Sequence, residues 1–434
     1  MKNIDNIIKK DKKYFLSTTR GDYKFVADSG DGEFAFDANK NKLIDFSSFI
    51  SVYNLGVNGN YQIRNGIKDQ VDKLMHAAFT DYYAELPIEF AIKLLEFMPK
   101  SHGRMFLSNS GTEANEAAIK FSKIFTKRQY TLAFYNGFHG RTHGSLSLTS
   151  SRYVHREHFG PFPNVIHTPF AYCYRCPFNL EYPGCGLACV DHIRKYPLSK
   201  ELPPKEVASI FFEPIQGEGG YIVPPKEYFK ELKHVADDIG ALMISDEVQA
   251  GFMRTGKFLA LDNFGIEADI YTMAKAVGGG LPLGVTVVKK SLGDIPNGAH
   301  ASTFGGNLLS VRAGIESLNY MKKNKSSLVN GIKSKGKYVM KRLNDMKTNY
   351  SIIGDVRGIG LMIGVELVKD RKTKVPAIKE RNSIIGEAFN RGLLMLPAGE
   401  STIRIIPPLT IHEKSLEKGM DILEELISKY SKKD

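Results

Sequence analysis

No stretch of this 434-residue chain stays apolar for the roughly 20 residues that a membrane-spanning helix needs, which argues against a helical membrane protein. The start, MKNIDNIIKKDKKYF, is too polar for the apolar core of a secretory signal, so the expected location is the cytoplasm. Cysteine is scarce. Its four copies, Cys173, Cys176, Cys185 and Cys189, all fall in CYRCPFNLEYPGCGLAC, so any covalent or metal staple is confined to that segment. Four thiolates there suit zinc, local disulfides or plain apolar packing, and four-sulfur zinc would leave no open position for catalysis. No metal is therefore assigned to a reaction. Internal repeats and low-complexity tracts are also lacking, and with them any sign of a solenoid or a disordered chain.

What is present fits a folded globular protein: 42% hydrophobic residues, 24% charged and 40 glycines. The length exceeds the ~250–300 residues at which a single core stops growing, so at least two lobes are expected. The net charge of +12 invites a nucleic-acid or membrane reading. Its lysines and arginines are scattered, however, with dense runs mainly at Lys9, Lys10, Lys12 and Lys13 and at Lys429, Lys432 and Lys433. A solvated basic surface is the expectation, with neither nucleic acid nor membrane as partner.

Residues 1–59 read as a short basic helix followed by a turn-punctuated meander, in which Ser-Gly, Asp-Gly and Asn-Lys-Asn break alternating apolar positions. From 60 to about 320, helical patterns alternate with short apolar runs at 131–135, 207–212, 241–245, 269–273 and 284–288, as in the buried strands of an α/β sheet. Between about 152 and 205 the pattern breaks into aromatics, prolines and the cysteine cluster of about 170–190, which reads as a surface insertion. Residues 308–343 read as one or two amphipathic helices. The remainder, 321–434, reads as a second, smaller α/β lobe with a helix at 379–391.

Chemistry concentrates at four places. In ALMISDEVQAGFMRTGKF an apolar strand ends in Asp246 and Glu247, where open α/β sheets bind ligands, although an acid there is often only a helix cap. In TMAKAVGGGLPLG, Lys275 stands in an apolar setting that would lower its pKa and make its amine a nucleophile toward an aldehyde, and Gly278, Gly279 and Gly280 would let backbone pack closely around a ligand. In SNSGTEANEAAIKF a Ser/Gly turn opens into a helix whose first amides, at Gly111 and Thr112, suit a phosphate. In YNGFHGRTHGS, Phe138 and His139 lie between glycines just after a strand, where an aromatic can stack on a planar ring. A lysine for an imine, an acid, a phosphate cradle and a stacking ring together meet the requirements of pyridoxal phosphate.

With SNSGTEAN, FHGRT, EPIQGEGG, DEVQAGFMRTG, AKAVGGGLPLG, STFGGN and RIIPPLTI in this order, the chain resembles the class III (omega) aminotransferases, the group of the 4-aminobutyrate, ornithine and acetylornithine enzymes, from about residue 20 to 430. The resemblance implies an α/β protein of the pyridoxal-phosphate transferase fold type I. A large domain with a mostly parallel sheet would carry the cofactor, pyridoxal 5′-phosphate, beside a small domain built from both termini. It implies Lys275 as Schiff-base lysine and proton carrier, Asp246 as partner of the pyridine nitrogen, and Gln249 near the ring hydroxyl. Gly111 and Thr112 would form the phosphate cradle, with Phe138 stacked on the ring and His139 beside it. Thr303 would reach a phosphate across a homodimer with shared active sites, alone or as half of a tetramer. Arg141 would bind a carboxylate of 2-oxoglutarate or glutamate, Glu218 and Arg404 would form a switch that takes or covers an α-carboxylate, and Glu213 would line the same wall.

The implied reaction is a ping-pong transfer of an amino group from an amino acid such as 4-aminobutyrate or ornithine to 2-oxoglutarate. Two departures bear on it. ISVYNLGVNGNYQIRNGI replaces the Gly-His and His-Pro pattern that many relatives carry near the substrate entrance, and the cysteine-bearing insertion resembles an archaeal branch. Some members of that branch racemise or epimerise amino acids. The alternative is thus an isomerase in which Lys275, or a second acid, reprotonates the α-carbon on its other face.

Overall fold

The computed structural model describes residues 3–18 and 23–431; Lys432 and Lys433 of the basic C-terminal run lie outside the described residues. A seven-stranded sheet runs through the larger lobe in the order His102–Ser108, Gly284–Lys289, Ile270–Met273, Leu242–Asp246, Val207–Phe212, Tyr130–Phe134, Val165–Thr168. Gly284–Lys289 is antiparallel to both neighbours, and the remaining adjacent pairs are parallel. Helices cover both faces, which explains why Val207–Phe212 is apolar and buried along its whole length. Gly111–Thr126 lays Ala114, Ala117, Ala118 and Phe121 on one face, and Tyr228–Ile239 lays Phe229, Leu232 and Val235 on the other.

The five apolar runs of the sequence are all strands here, with ends shifted by one residue at most. One segment differs from expectation. Within the supposed surface insertion, Val165–Thr168 joins the central sheet as an edge strand parallel to Tyr130–Phe134. Four residues of mixed polarity carry too little periodicity to stand out among prolines and aromatics. The insertion also contains the helix Ala188–Lys195. Its four thiols are free, and Cys173, Cys176, Cys185 and Cys189 border one pocket with Phe170 and Phe178. Burial pushes the Cys189 thiol up to about 12, which keeps it protonated and unreactive. Among the described residues no group of three His, Cys, Asp or Glu side chains is arranged to hold a metal ion. No described helix is long and apolar enough to cross a membrane.

The smaller lobe interleaves the two ends of the chain. The meander Ala27–Asp31, Phe34–Asp37, Lys42–Asp45 accepts Leu393–Leu394 as a parallel fourth strand. A second sheet orders Ile353–Ile359, Met362–Leu367, Thr402–Ile405 and Leu396–Ala398. Ile44 and Phe46 share a core with Val339, Leu343, Ile384 and Leu423. The long amphipathic stretch forms two helices, Leu308–Lys323 and Lys325–Asn349, which meet at Asn324.

Candidate active site

Four neighbouring parallel strands deliver chemistry at their carboxyl ends: Phe138 four residues beyond Phe134, Glu213 directly after Phe212, Asp246 as the last residue of its strand, and Lys275 two residues beyond Met273. Asp246 is buried and accepts three hydrogen bonds. His139 Nδ1 and Asn115 Nδ2 each lie 2.8 Å from Oδ2, and the Val248 amide lies 3.0 Å from Oδ1. Asn115 Nδ2 also donates to the His139 carbonyl at 2.6 Å, so the carboxylate, the ring and the helix Gly111–Thr126 hold one another in place. A carboxylate has about four acceptor positions, which leaves one for a further donor. Sequence reasoning missed Asn115, although it stands four residues after Gly111 and therefore on the same helix face.

Lys275 has a left-handed backbone, φ 51°, which is uncommon for a lysine and concentrates at functional sites. Its Nζ makes no hydrogen bond to a described residue. Burial pushes the amine below its ordinary value, while Asp246, Glu213 and Glu218 act in the opposite direction and Arg404 adds to the lowering. Glu213 spans the back of the cleft, accepting the Gly217 amide at 2.9 Å and the Phe138 amide at 3.0 Å, and burial raises its pKa. Gln249 accepts the Tyr221 hydroxyl at 2.8 Å, and Gly217 packs so closely on the Gln249 amide that a Cβ there would come within 2.7 Å of Nε2. The glycines after Lys275 serve a purpose other than the expected one. A Cβ on Gly280 would fall 2.6 Å from the Tyr53 ring, and one on Gly279 2.9 Å from Ser317 Oγ, so the close packing is against protein.

At the helix start, Ser110 Oγ accepts the Glu113 amide at 3.2 Å, and Glu113 reaches back to the Asn109 amide. The hydroxyl of Thr112 meets Thr142 at 2.9 Å and also Ser145. Gly111 faces Val248, whose Cγ1 would stand 2.8 Å from an added Cβ. Phe138 is half-buried, with His155 edge-on at 5.6 Å and the Arg141 guanidinium 5.7 Å from its ring. Arg141 itself is exposed.

The smaller lobe supplies Arg404, from the strand Thr402–Ile405, with a side chain only 6% exposed. Nη2 bonds Glu218 Oε2 at 2.9 Å and Nε bonds the Pro397 carbonyl at 2.8 Å, whereas Nη1 is buried with no partner. Burial would lower the Arg404 pKa, but Tyr221 and Glu218 raise it. Glu218 has a second cation, Arg152, whose Nη2 lies 3.5 Å from Oε1. Behind this pair Arg357 clamps the Gly220 and Tyr221 carbonyls and bonds Glu366, which also takes Tyr172 and Arg175 from the cysteine-bearing insertion. Nothing in the sequence pointed to Arg152 or Arg357. Thr303 is exposed. Its neighbour Ser302 accepts Asn109 Nδ2 at 3.2 Å, and Phe304 meets His76 in a surface patch.

A model of the class III aminotransferases matches residues 16–427. This chain belongs to the class III aminotransferases. It is similar to a protein from Thermococcus litoralis named leucine/methionine racemase, 38% identical over 426 residues that cover 98% of this chain and 95% of that protein. An acetylornithine aminotransferase of Clostridium acetobutylicum is 35% identical over 425 residues, 96% and 99% of the two chains. An amine transaminase from an uncultivated Pseudomonas species, solved with pyridoxal phosphate bound, matches with a TM-score of 0.89 at 26% identity, over 96% of this chain and 99% of that one. The fold is therefore type I of the pyridoxal-phosphate transferases, the cofactor of this family enzyme is pyridoxal 5′-phosphate, and its substrates are small amino and oxo acids. The residues fit that cofactor: the Lys275 amine makes no hydrogen bond to a described residue and lies within electrostatic reach of Asp246, whose carboxylate has an acceptor position to spare.

Proposed function

We propose that this enzyme exchanges the proton on the α-carbon of a neutral amino acid and thereby interconverts its L and D forms. The observation that carries the reading is the buried, unpartnered Nη1 of Arg404, an anchor for an α-carboxylate within electrostatic reach of the Lys275 amine. The racemase of Thermococcus litoralis as a relative supports it. When bound, pyridoxal phosphate supplies an aldehyde that joins covalently to an amine and an electron-poor ring that stabilises negative charge on the adjoining carbon. Lys275 would hold that aldehyde and carry the α-proton, and burial, which lowers the pKa of its amine, favours the neutral form that such a role needs. Asp246, fixed by His139 and Asn115, would take the pyridine nitrogen. Phe138 would cover the ring, Gln249 would stand by its hydroxyl, and the amides of Gly111 and Thr112 would take the phosphate. A second copy would complete the cradle with Thr303. Leu74, Met75, Tyr82, Tyr83 and Phe304, all more than half exposed near that residue, form the apolar surface such a homodimer would bury.

A second reading, transfer of the amino group of 4-aminobutyrate, ornithine or a similar donor to 2-oxoglutarate, is favoured by Arg141. Its exposed guanidinium stands beside Phe138, placed for a distal carboxylate. Incubating the holoenzyme with single L-amino acids in deuterated water, without an oxo acid, separates the two. Racemisation yields the D form carrying one deuterium at the α-carbon. Turnover that appears only with 2-oxoglutarate, and yields glutamate, supports transamination and overturns the first reading.

A further inference from the structure

The Glu218 carboxylate stands between two guanidinium groups of different character. Arg404 is buried and bonded to Oε2 at 2.9 Å, and Arg152, with a side chain 41% exposed, lies 3.5 Å from Oε1. Arg152 Nη2 also donates to the Gly399 carbonyl at 3.1 Å, and the Gly399 amide donates to the Glu218 carbonyl at 2.8 Å. The backbone of residue 218 is thus tied to the same loop that holds Arg152, so Glu218 can leave Arg404 by rotating its side chain alone. Removing it would strand a buried cation that already has one donor, Nη1, without a partner. A substrate carboxylate refills that position, and the displaced carboxylate then needs a cation of its own.

We propose that Arg152 is a positioning residue that receives Glu218 when a substrate α-carboxylate displaces it from Arg404. The inference rests on the reading of Arg404 as the α-carboxylate anchor. The substrate brings a second carboxylate to a pair of arginines that share one: before the exchange Arg404 and Arg152 both face Glu218, and after it each holds a carboxylate of its own, Arg152 moving from a loose contact to a direct pair. Recognition is accordingly selective for substrates with a carboxylate next to the reacting amine, because simple amines give Glu218 no reason to move.

Binding of isovalerate, which has a carboxylate and an apolar chain but no amine, to the holoenzyme by calorimetry tests this. Arg152→Gln weakens binding by about two- to fivefold, the range for a half-exposed ion pair that is formed fully in only one of two states. Arg152→Lys recovers part of the loss. Glu218→Gln tightens binding and makes it indifferent to Arg152→Gln, a coupling that a merely structural role for Arg152 would not produce. If Arg152→Gln binds isovalerate as well as or better than the unaltered enzyme, Arg152 only helps to hold the switch closed and the inference falls. If neither the unaltered enzyme nor Glu218→Gln binds isovalerate, the anchor reading of Arg404 itself is wrong.

Discussion

The half of the cleft around Lys275 draws its side chains from one sheet and one helix, each at or near the carboxyl end of a strand or in the first turns of Gly111–Thr126. The half around Arg404 is assembled from Arg152, the 217–221 loop, the 399 loop and two strands of the other lobe, braced by the cysteine-bearing insertion. In the first half, geometry follows from strand order, and every buried carboxylate has several donors. In the second, a donor is left open and one acid is shared by two bases. A fixed cofactor and an exchangeable substrate call for this division: one side is rigid by construction, and the other keeps a free donor and an alternative pairing.

The comparison breaks first at Lys275. Lys275→Ala removes the amine without touching the hydrogen bonds of Asp246, so turnover should drop by at least about a thousandfold while the thermal transition stays in place. Borohydride treatment followed by peptide mass spectrometry should locate the cofactor on Lys275 in the unaltered enzyme and nowhere in the variant. A cofactor retained on another lysine would remove the basis of the whole arrangement.

The substrate half is the more fragile one, and Glu366 tests that. It is buried against Arg357 and Arg175. Burial alone would raise its pKa, but Arg357, Tyr172 and Arg175 hold it below the ordinary 4.5. Glu366→Gln leaves Arg357 short of a partner and should lower stability by about 3 kcal/mol at neutral pH, measured by urea denaturation. The folded-state pKa lies below the unfolded one, so this contribution is complete above about pH 4.5 and fades as pH falls through the lower folded value. The gap between the two proteins should therefore narrow on acidification. A gap that widens would mean that Glu366 is held protonated.

The sequence made the cofactor half legible for a physical reason. Apolar strands that end in Asp246 or just before Lys275, and a Ser/Gly turn into a helix, are local signals, and the chain order of the motifs is the order in which the sheet uses them. Asn115 was within reach of the same reasoning, one helical turn from Gly111. Arg152 and Arg357 were not. Their roles arise from contacts between segments 66 and 137 residues apart, and no local pattern of charge records such a distance. The edge strand Val165–Thr168 escaped for a related reason: its only clear signal is its pairing with Tyr130–Phe134.

The smallest effect is expected where the two halves meet. Ser48, Phe49, Ile50 and Ser51 form a left-handed turn with φ of 46°, 47°, 65° and 61°, a run without a glycine. Side-chain bonds hold it in place: Ser48 Oγ donates to the Ile406 carbonyl at 2.6 Å, beyond Arg404, and Ser51 Oγ to the Gln249 carbonyl at 3.2 Å. Each left-handed residue costs about 1–2 kcal/mol, and a β-branched side chain such as Ile50 is the least suited to it. Ile50 is 44% exposed, so little burial compensates that cost. Ile50→Gly should therefore raise stability by about 0.5–1 kcal/mol in a denaturant melt, the gain being reduced by the freer unfolded chain. The same change should alter the relative rates with leucine-sized and alanine-sized substrates, since strain kept in a protein at an exposed position needs a use for the side chain that causes it. A variant that is more stable and unchanged toward every substrate would show that the strain serves only to bridge Gln249 and Ile406. A less stable one would show that Ile50 is held by contacts worth more than the backbone cost, and that the turn belongs with the rigid half of the cleft.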